Sequence, residues 1–193
     1  MSCRHNAVIA VIVNGMRGAR RSARPVRIAL ATRLGGDIDG AWWPHTASVA
    51  GELPDLVEVL HRPLGEIIDI SINWSSTEGT PDLNSMTSRA ISMPGWHARP
   101  QRLMVITGRR ARAKLLVVPH MTTPDLGVMV LRRAAAMPIP GAQQDTPMFH
   151  TADFVVRAAQ AESASWANRT LNAQAAAGRT ADALHRGHPS ADA

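Results

Sequence analysis

The sequence contains no tyrosine, two phenylalanines, one cysteine and a single lysine. Each scarcity excludes something. With Cys3 alone, no intramolecular disulfide forms and no cysteine-pair zinc site exists. No stretch approaches the ~20 consecutive apolar residues of a membrane helix. The apolar run Ala7–Val13 follows Arg4 and His5, but Asn14-Gly15 breaks it, and arginine-rich sequence stands where a secretory cleavage site would lie. These features predict a cytoplasmic protein with no membrane span. Recurrent chemical signatures are missing too. G-x-S-x-G, G-x-G-x-x-G, G-x-x-x-x-G-K-[ST] and H-E-x-x-H do not occur. No cofactor and no metal site are expected.

The net charge of +6 is concentrated at one end. Residues 1–27 hold six arginines and no Asp or Glu, while the remainder holds fifteen basic and fifteen acidic residues. A phosphate-binding surface normally belongs to the folded domain. Here the excess sits in a stretch that reads as a disordered basic extension, residues 1–24. It leaves weak nucleic-acid association through residues 1–27 as one expectation.

Hydropathy patterning divides the rest. Val26–Arg33 alternates as a half-buried strand does. Gly35-Gly36-Asp37 and Asp39-Gly40 are turn chemistry, and Trp42-Trp43 resumes an extended path before Pro44. Val49, Leu53, Leu56, Val57 and Leu60 form one stripe of a helix, with its regular part starting near Leu53 because Pro54 suits a first turn. Strands follow at Glu66–Asn73, with Ile68, Ile70 and Ile72 on one face, at Met86–Met93, at Arg102–Thr107 and at Lys114–Val118. The last two are joined as a hairpin through Gly108-Arg109-Arg110. Thr123-Pro124-Asp125 starts a helix over Leu126–Met137 that buries Leu126, Val130, Leu131 and Ala134. The prediction is an α+β core over residues 25–140. It has a mostly antiparallel sheet of five or six short strands, with two helices packed on one face. A helical tail, residues 145–193, carries a helix over Ala152–Ala177 and is disordered after about residue 180. Its stripe of Val155, Ala159, Trp166 and Ala173 is thin, so it must dock to be stable.

The histidines and carboxylates are scattered. His185-x-x-His188 lies in a polar tail without further ligands. Asp37-x-Asp39-Gly40 lacks the third ligand and distal Glu of a calcium loop. His45, His61, His97 and His120 are isolated, although His45 and His97 each follow a tryptophan closely.

The paired indoles pose the sharpest question. Neighbouring side chains of an extended segment point to opposite faces, so Trp42 and Trp43 cannot enter the same layer of core. At least one needs a cover from elsewhere in the chain, from a ligand or from a partner. With Trp74 and Trp96 at a common rim, the four would suit stacking on a base, a sugar or a partner's proline.

The motifs G-x-x-D-G-A-W-W-P (Gly36–Pro44), E-L-P-x-L-V-x-x-L (Glu52–Leu60), R-P-L-G (Arg62–Gly65), L-L-V-V-P (Leu115–Pro119) and Thr123-Pro124 together resemble an actinobacterial, mycobacterial-type family of unknown function. The resemblance spans about residues 27–138. It implies a cytoplasmic actinobacterial protein and carries over no catalytic residue. The leading expectation is a non-enzymatic binding or regulatory module that contacts an unknown protein or small-molecule partner. Its candidate surface comprises Asp39, Trp42, Trp43, His45, Trp74, Trp96 and His97. The alternative is an enzyme whose acid and base come from Asp37, Asp39, His45 and His97.

Overall fold

The computed structural model describes residues 24–74 and 101–186, with side chains to residue 172. Elements run β1 (Ile28–Leu30), β2 (Gly40–Trp42), α1 (Val49–Leu64), β3 (Ile67–Ile72), β4 (Leu103–Gly108), β5 (Arg112–Val117), α2 (Pro124–Ala134), α3 (Gly141–Gln144) and α4 (Pro147–Arg186). The expected strand at Met86–Met93 lies outside the described residues, as do Trp96, His97 and most of the basic extension.

The five strands form one sheet in the order β1-β2-β5-β4-β3. Three of its four pairings are antiparallel, but β2 and β5 run parallel, with Trp42 opposite Val117 and Ala41 opposite Leu116. The sheet is therefore mixed rather than mostly antiparallel. The cause is that the hairpin β4–β5 inserts against β2, so the strand after the turn at Arg109-Arg110 points the same way as β2.

The helices cover both faces, not one. On the first face α1 buries Leu56, Leu60 and Leu64 against Trp42, Met104, Ile106, Leu115 and Val117. On the second, α2 and α4 enclose Ala41, Trp43, Leu103, Leu116 and Val118. Leu126, Val130, Leu131 and Ala134 are buried as their spacing predicts. The α4 residues Ala152, Val155, Val156 and Ala159 belong to the same cluster, so α4 is an integral cover. Arg133, at 2.7 Å from Asp153, fixes its start beside the end of α2.

Local chemistry explains the shifted boundaries. α1 begins at Val49, ahead of Leu53, because the Ser48 hydroxyl accepts from the Gly51 N–H and caps the helix. Pro54 is accommodated inside it. In β3 a register shift between Ile67 and Asp69 breaks the alternation. Ile67 and Ile70 consequently pack on the α1 side, whereas Ile68 and Ile72 are 61% and 45% exposed. α4 starts at Pro147 and stays helical through Arg186, earlier and later than its thin stripe implies. Among the described residues no helix is long and apolar enough to cross a membrane.

Candidate site at the carboxyl ends of two parallel strands

The two indoles settle their own question. Trp42 and Trp43 do point to opposite faces, and each is covered by the chain's own helices. Trp42 is 1% exposed and Trp43 4%. Neither offers a contact surface, so the tryptophan-lined rim is closed at these two positions. Trp43 is held with particular tightness. A Cβ at Gly127 of α2 would lie 2.7 Å from its six-membered ring, so only glycine allows the helix this close. The Arg27 guanidinium carbon sits 3.5 Å from a ring centroid of the same indole. Arg27 also donates to the carbonyls of Trp43 and Pro44. Burial lowers its pKa, partly opposed by the nearby Glu52 carboxylate. Arg27 thus belongs to the folded domain and is no part of a solvated basic arm.

Asp39 is likewise structural. It is 1% exposed; one oxygen accepts from the Gly35 and Gly36 N–H groups at 2.7 and 2.8 Å, and the other from the Lys114 N–H at 2.8 Å. The carboxylate ties the β1–β2 turn to the start of β5, and three backbone donors satisfy it in the interior. Asp37 is exposed in the same turn. His45 lies beyond the other end of β2, about 20 Å away at ~3.3 Å per extended residue. Asp37, Asp39 and His45 are therefore not brought together. Among the described residues no three His, Cys, Asp or Glu cluster as metal ligands.

What the fold does assemble is the end of the sheet where β2 and β5 finish side by side. Trp42 stands opposite Val117, the Val118 N–H donates to the Trp42 carbonyl at 2.8 Å, and the strands leave this end as Trp43-Pro44-His45 and Val118-Pro119-His120. From that point the chain leaves β2 for α1 on one face and leaves β5 for α2 on the other. Neighbouring parallel strands whose connections diverge in this way open a crevice at their carboxyl ends, the place where open α/β sheets bind ligands. Such a crevice is present here. Its lining includes Pro44, Thr46, Val49, Arg102, Pro119 and His120. The crevice is open to solvent and offers only about 10 Å³, near the minimum for one water molecule.

The loop into α1 is braced from beneath. Glu52 accepts from the His45 N–H at 2.8 Å, and from both the N–H and the hydroxyl of Thr46 at 2.7 and 2.8 Å. Burial pushes the Glu52 pKa up, but the hydrogen bonds from His45 and Thr46 outweigh it and hold the carboxyl below its ordinary value. The His45 ring donates from Nε2 to the Pro25 carbonyl at 3.0 Å. Trp74, half-buried, lies beside Arg102, whose guanidinium carbon is 5.7 Å from its ring centroid. Asn73 fixes Arg102 in place by bonding the Gln101 carbonyl and the Leu103 N–H on either side of it, at 2.8 and 2.7 Å.

Of the residues singled out from the sequence, the structure puts His45 and Trp74 at this end of the sheet and Asp39 at the other. Thr46, Arg102 and His120 escaped sequence reasoning as a group. The available signal was the repeated apolar-apolar-Pro-His ending at residues 42–45 and 117–120, whose meaning requires knowing that the two strands are parallel neighbours.

The signature of a family of unknown function, DUF5994, covers residues 27–134, which is more than half of the sequence. The chain belongs to that family. The match takes in both sheet-end loops, α1 and α2, and stops at the end of α2. No curated protein and no solved structure matches the chain.

Proposed function

We propose that this DUF5994 chain is a small binding or regulatory module and that its contact surface is the crevice at the carboxyl ends of β2 and β5. The observation that carries the reading is the divergence of α1 and α2 to opposite faces from two adjacent parallel strands, the topology at which sheets of this kind receive ligands. Convergent polar groups on an otherwise apolar wall fit such a role. His45 and Trp74 keep their place as candidate contacts at this end. Binding is favoured over turnover because the carboxylates and histidine of the enzymatic alternative stand at opposite ends of β2. The resemblance drawn from the sequence extends the proposal to the cytoplasm of an actinobacterium and to a protein or small-molecule partner.

The test is residue-resolved NMR of the full-length protein against a collection of small polar and apolar fragments. Amide shifts from the binders are expected to concentrate at residues 45–49, 102, 117, 118 and 120. Shifts concentrated at the Gly35–Asp39 turn, or scattered over the surface, would reject this location.

A further inference from the structure

We infer that the chain pairs with a second copy of itself, edge to edge through β3, in an antiparallel two-fold dimer. The surface is separate from the crevice, and neither reading needs the other. β3 is the last strand of the sheet, six residues long, and among the described residues nothing pairs with its outer side. A free edge of that length is a template for another strand. Proteins guard such edges with lysine, proline or a bulge. β3 has neither residue, and its register shift between Ile67 and Asp69 leaves Asp69–Ile72 regular. Two exposed isoleucines, Ile68 and Ile72, stand on this strand.

The backbone sets the register. The Asn73 N–H donates to the Leu103 carbonyl at 3.2 Å. Backbone groups alternate in direction along an antiparallel ladder. Asp69 and Ser71 therefore also turn theirs toward β4, while Ile70 and Ile72 turn theirs outward. A second copy must oppose outward groups with outward groups. With the two-fold at Ser71, Ile70 of each chain faces Ile72 of the other, Ser71 faces Ser71, and Asp69 faces Asn73. Cross-strand pairs of apolar residues and of hydroxyls are favourable. Centring on Ile70 instead draws the irregular stretch at Ile68 into the ladder. Centring on Asp69 opposes two carboxylates, which is destabilising. The strand is thus self-complementary in one register, as a two-fold interface requires.

α4 supplies the second observation. It starts beside the end of α2, where Arg133 meets Asp153 at 2.7 Å. Nine residues on, Glu162 accepts from the Asn73 side chain at 3.4 Å, at the end of β3. The helix therefore crosses the second face of the sheet toward this edge. It continues 24 residues further, to Arg186, a length of about 36 Å at ~1.5 Å per residue. Ala167 to Asn172 are all exposed, with Leu171 at 62%. A helix without cover is marginal in water. A second copy joined through β3 continues the sheet under this overhang, and the two-fold gives its own α4 the same cover.

Light scattering on the full-length protein after size exclusion should read twice the 20.7 kDa chain mass. Ile72→Lys puts a charge on the edge in both copies and is expected to weaken the dimer by at least about tenfold. Ile72→Pro removes an outward N–H that β4 does not use, so it should give the same loss in a folded chain. Ser71→Cys in a Cys3→Ser background tests the register. Directly opposed residues of this type lie ~4.5 Å apart at Cα, within disulfide reach. An added disulfide oxidant should therefore convert the variant to a covalent dimer. A dimer that survives both Ile72 substitutions overturns the interface, and a Ser71→Cys variant that does not cross-link overturns the register. A single-chain mass at every concentration overturns the dimer. Slow amide exchange at Ile70 and Ile72 in that monomer would assign the cover of the edge to the chain itself.

Discussion

The two faces of the sheet solve the same problem in different ways. Each buries one indole of the Trp42-Trp43 pair. On the α1 face, Trp42 sits among leucines, a methionine and isoleucines supplied by α1, the central strands and β1. On the other face, Trp43 lies against a glycine of α2 and an arginine from the chain preceding β1. Its indole nitrogen is buried with no hydrogen-bond partner among the described residues. The first site is ordinary apolar packing, tolerant of approximate fit. The second depends on one backbone approach and one cation, and leaves a polar atom unpaid. Adjacent residues of identical type therefore differ in what holds them.

Truncation is the coarsest way to probe this contrast. Replacing either indole with alanine should cost about 3–5 kcal/mol, the usual range for a large buried aromatic, measured by urea unfolding of each variant. The finer substitution distinguishes the sites. Trp42→Phe loses volume together with an indole N–H that is not among the buried unsatisfied groups, and should cost roughly 1–3 kcal/mol. Trp43→Phe loses similar volume but also removes the unsatisfied N–H, whose burial costs about 1–3 kcal/mol. The Phe variant at 43 is expected to be clearly the milder of the two. Equal losses would mean that the indole N–H of Trp43 is satisfied in solution, and the contrast between the faces would shrink to shape alone.

The next probe is smaller and has a sign to check. Gly127→Ala gains up to about 1 kcal/mol of helix propensity, yet its Cβ would stand 2.7 Å from the Trp43 ring. Overpacking of this kind costs typically 1–3 kcal/mol, so net destabilisation of about 1 kcal/mol is expected. In a Trp43→Leu background the ring is gone, and the same substitution should become neutral or stabilising. A double-mutant cycle reads the coupling directly. If Gly127→Ala costs the same in both backgrounds, the close approach of α2 is not what requires glycine at 127.

Much of this architecture was legible in the sequence, for reasons that can be located. The opposed directions of Trp42 and Trp43 followed from strand geometry alone. The buried side of α2 followed from its 3.6-residue spacing, and the hairpin from Gly108-Arg109-Arg110. What failed was long-range. Nothing local in Arg112–Val117 says that it pairs with β2, 75 residues upstream for the Asp39–Lys114 contact, or that it does so in parallel. That single pairing decides that the sheet is mixed and which helix covers which face. It also brings the Pro44 and Pro119 segments that follow the two strands to one crevice. Asp39 was legible as turn chemistry, but its long-range bond to the Lys114 N–H was not. A Gly-Asp-rich turn looks solvated, and only the tertiary fold shows three backbone donors closing on its carboxylate. The β3 slip had a local cause, but a two-residue period gives no warning of a bulge.

The smallest effect concerns the loop between the two indoles and α1. In the folded protein Glu52 titrates below its ordinary value of 4.5, so the unfolded chain takes up its proton first as the pH falls. The stability contributed by its bonds to His45 and Thr46 is fully present above the unfolded value and is lost as the pH drops through the lower, folded one. Because the group is only partly buried, the contribution should stay within about 1 kcal/mol at neutral pH. Glu52→Gln keeps the size of the side chain and removes the titration. Urea unfolding of both proteins from about pH 7 down to about pH 3 should show the wild type ahead by that margin at the top of the range, with the two curves converging at the bottom. The α2 face supplies the internal comparison, since Trp43→Phe changes no titrating group and its deficit should hold constant over the same range. A gap between wild type and Glu52→Gln that ignores pH would show that the charge of the carboxylate is not what braces the crevice loop.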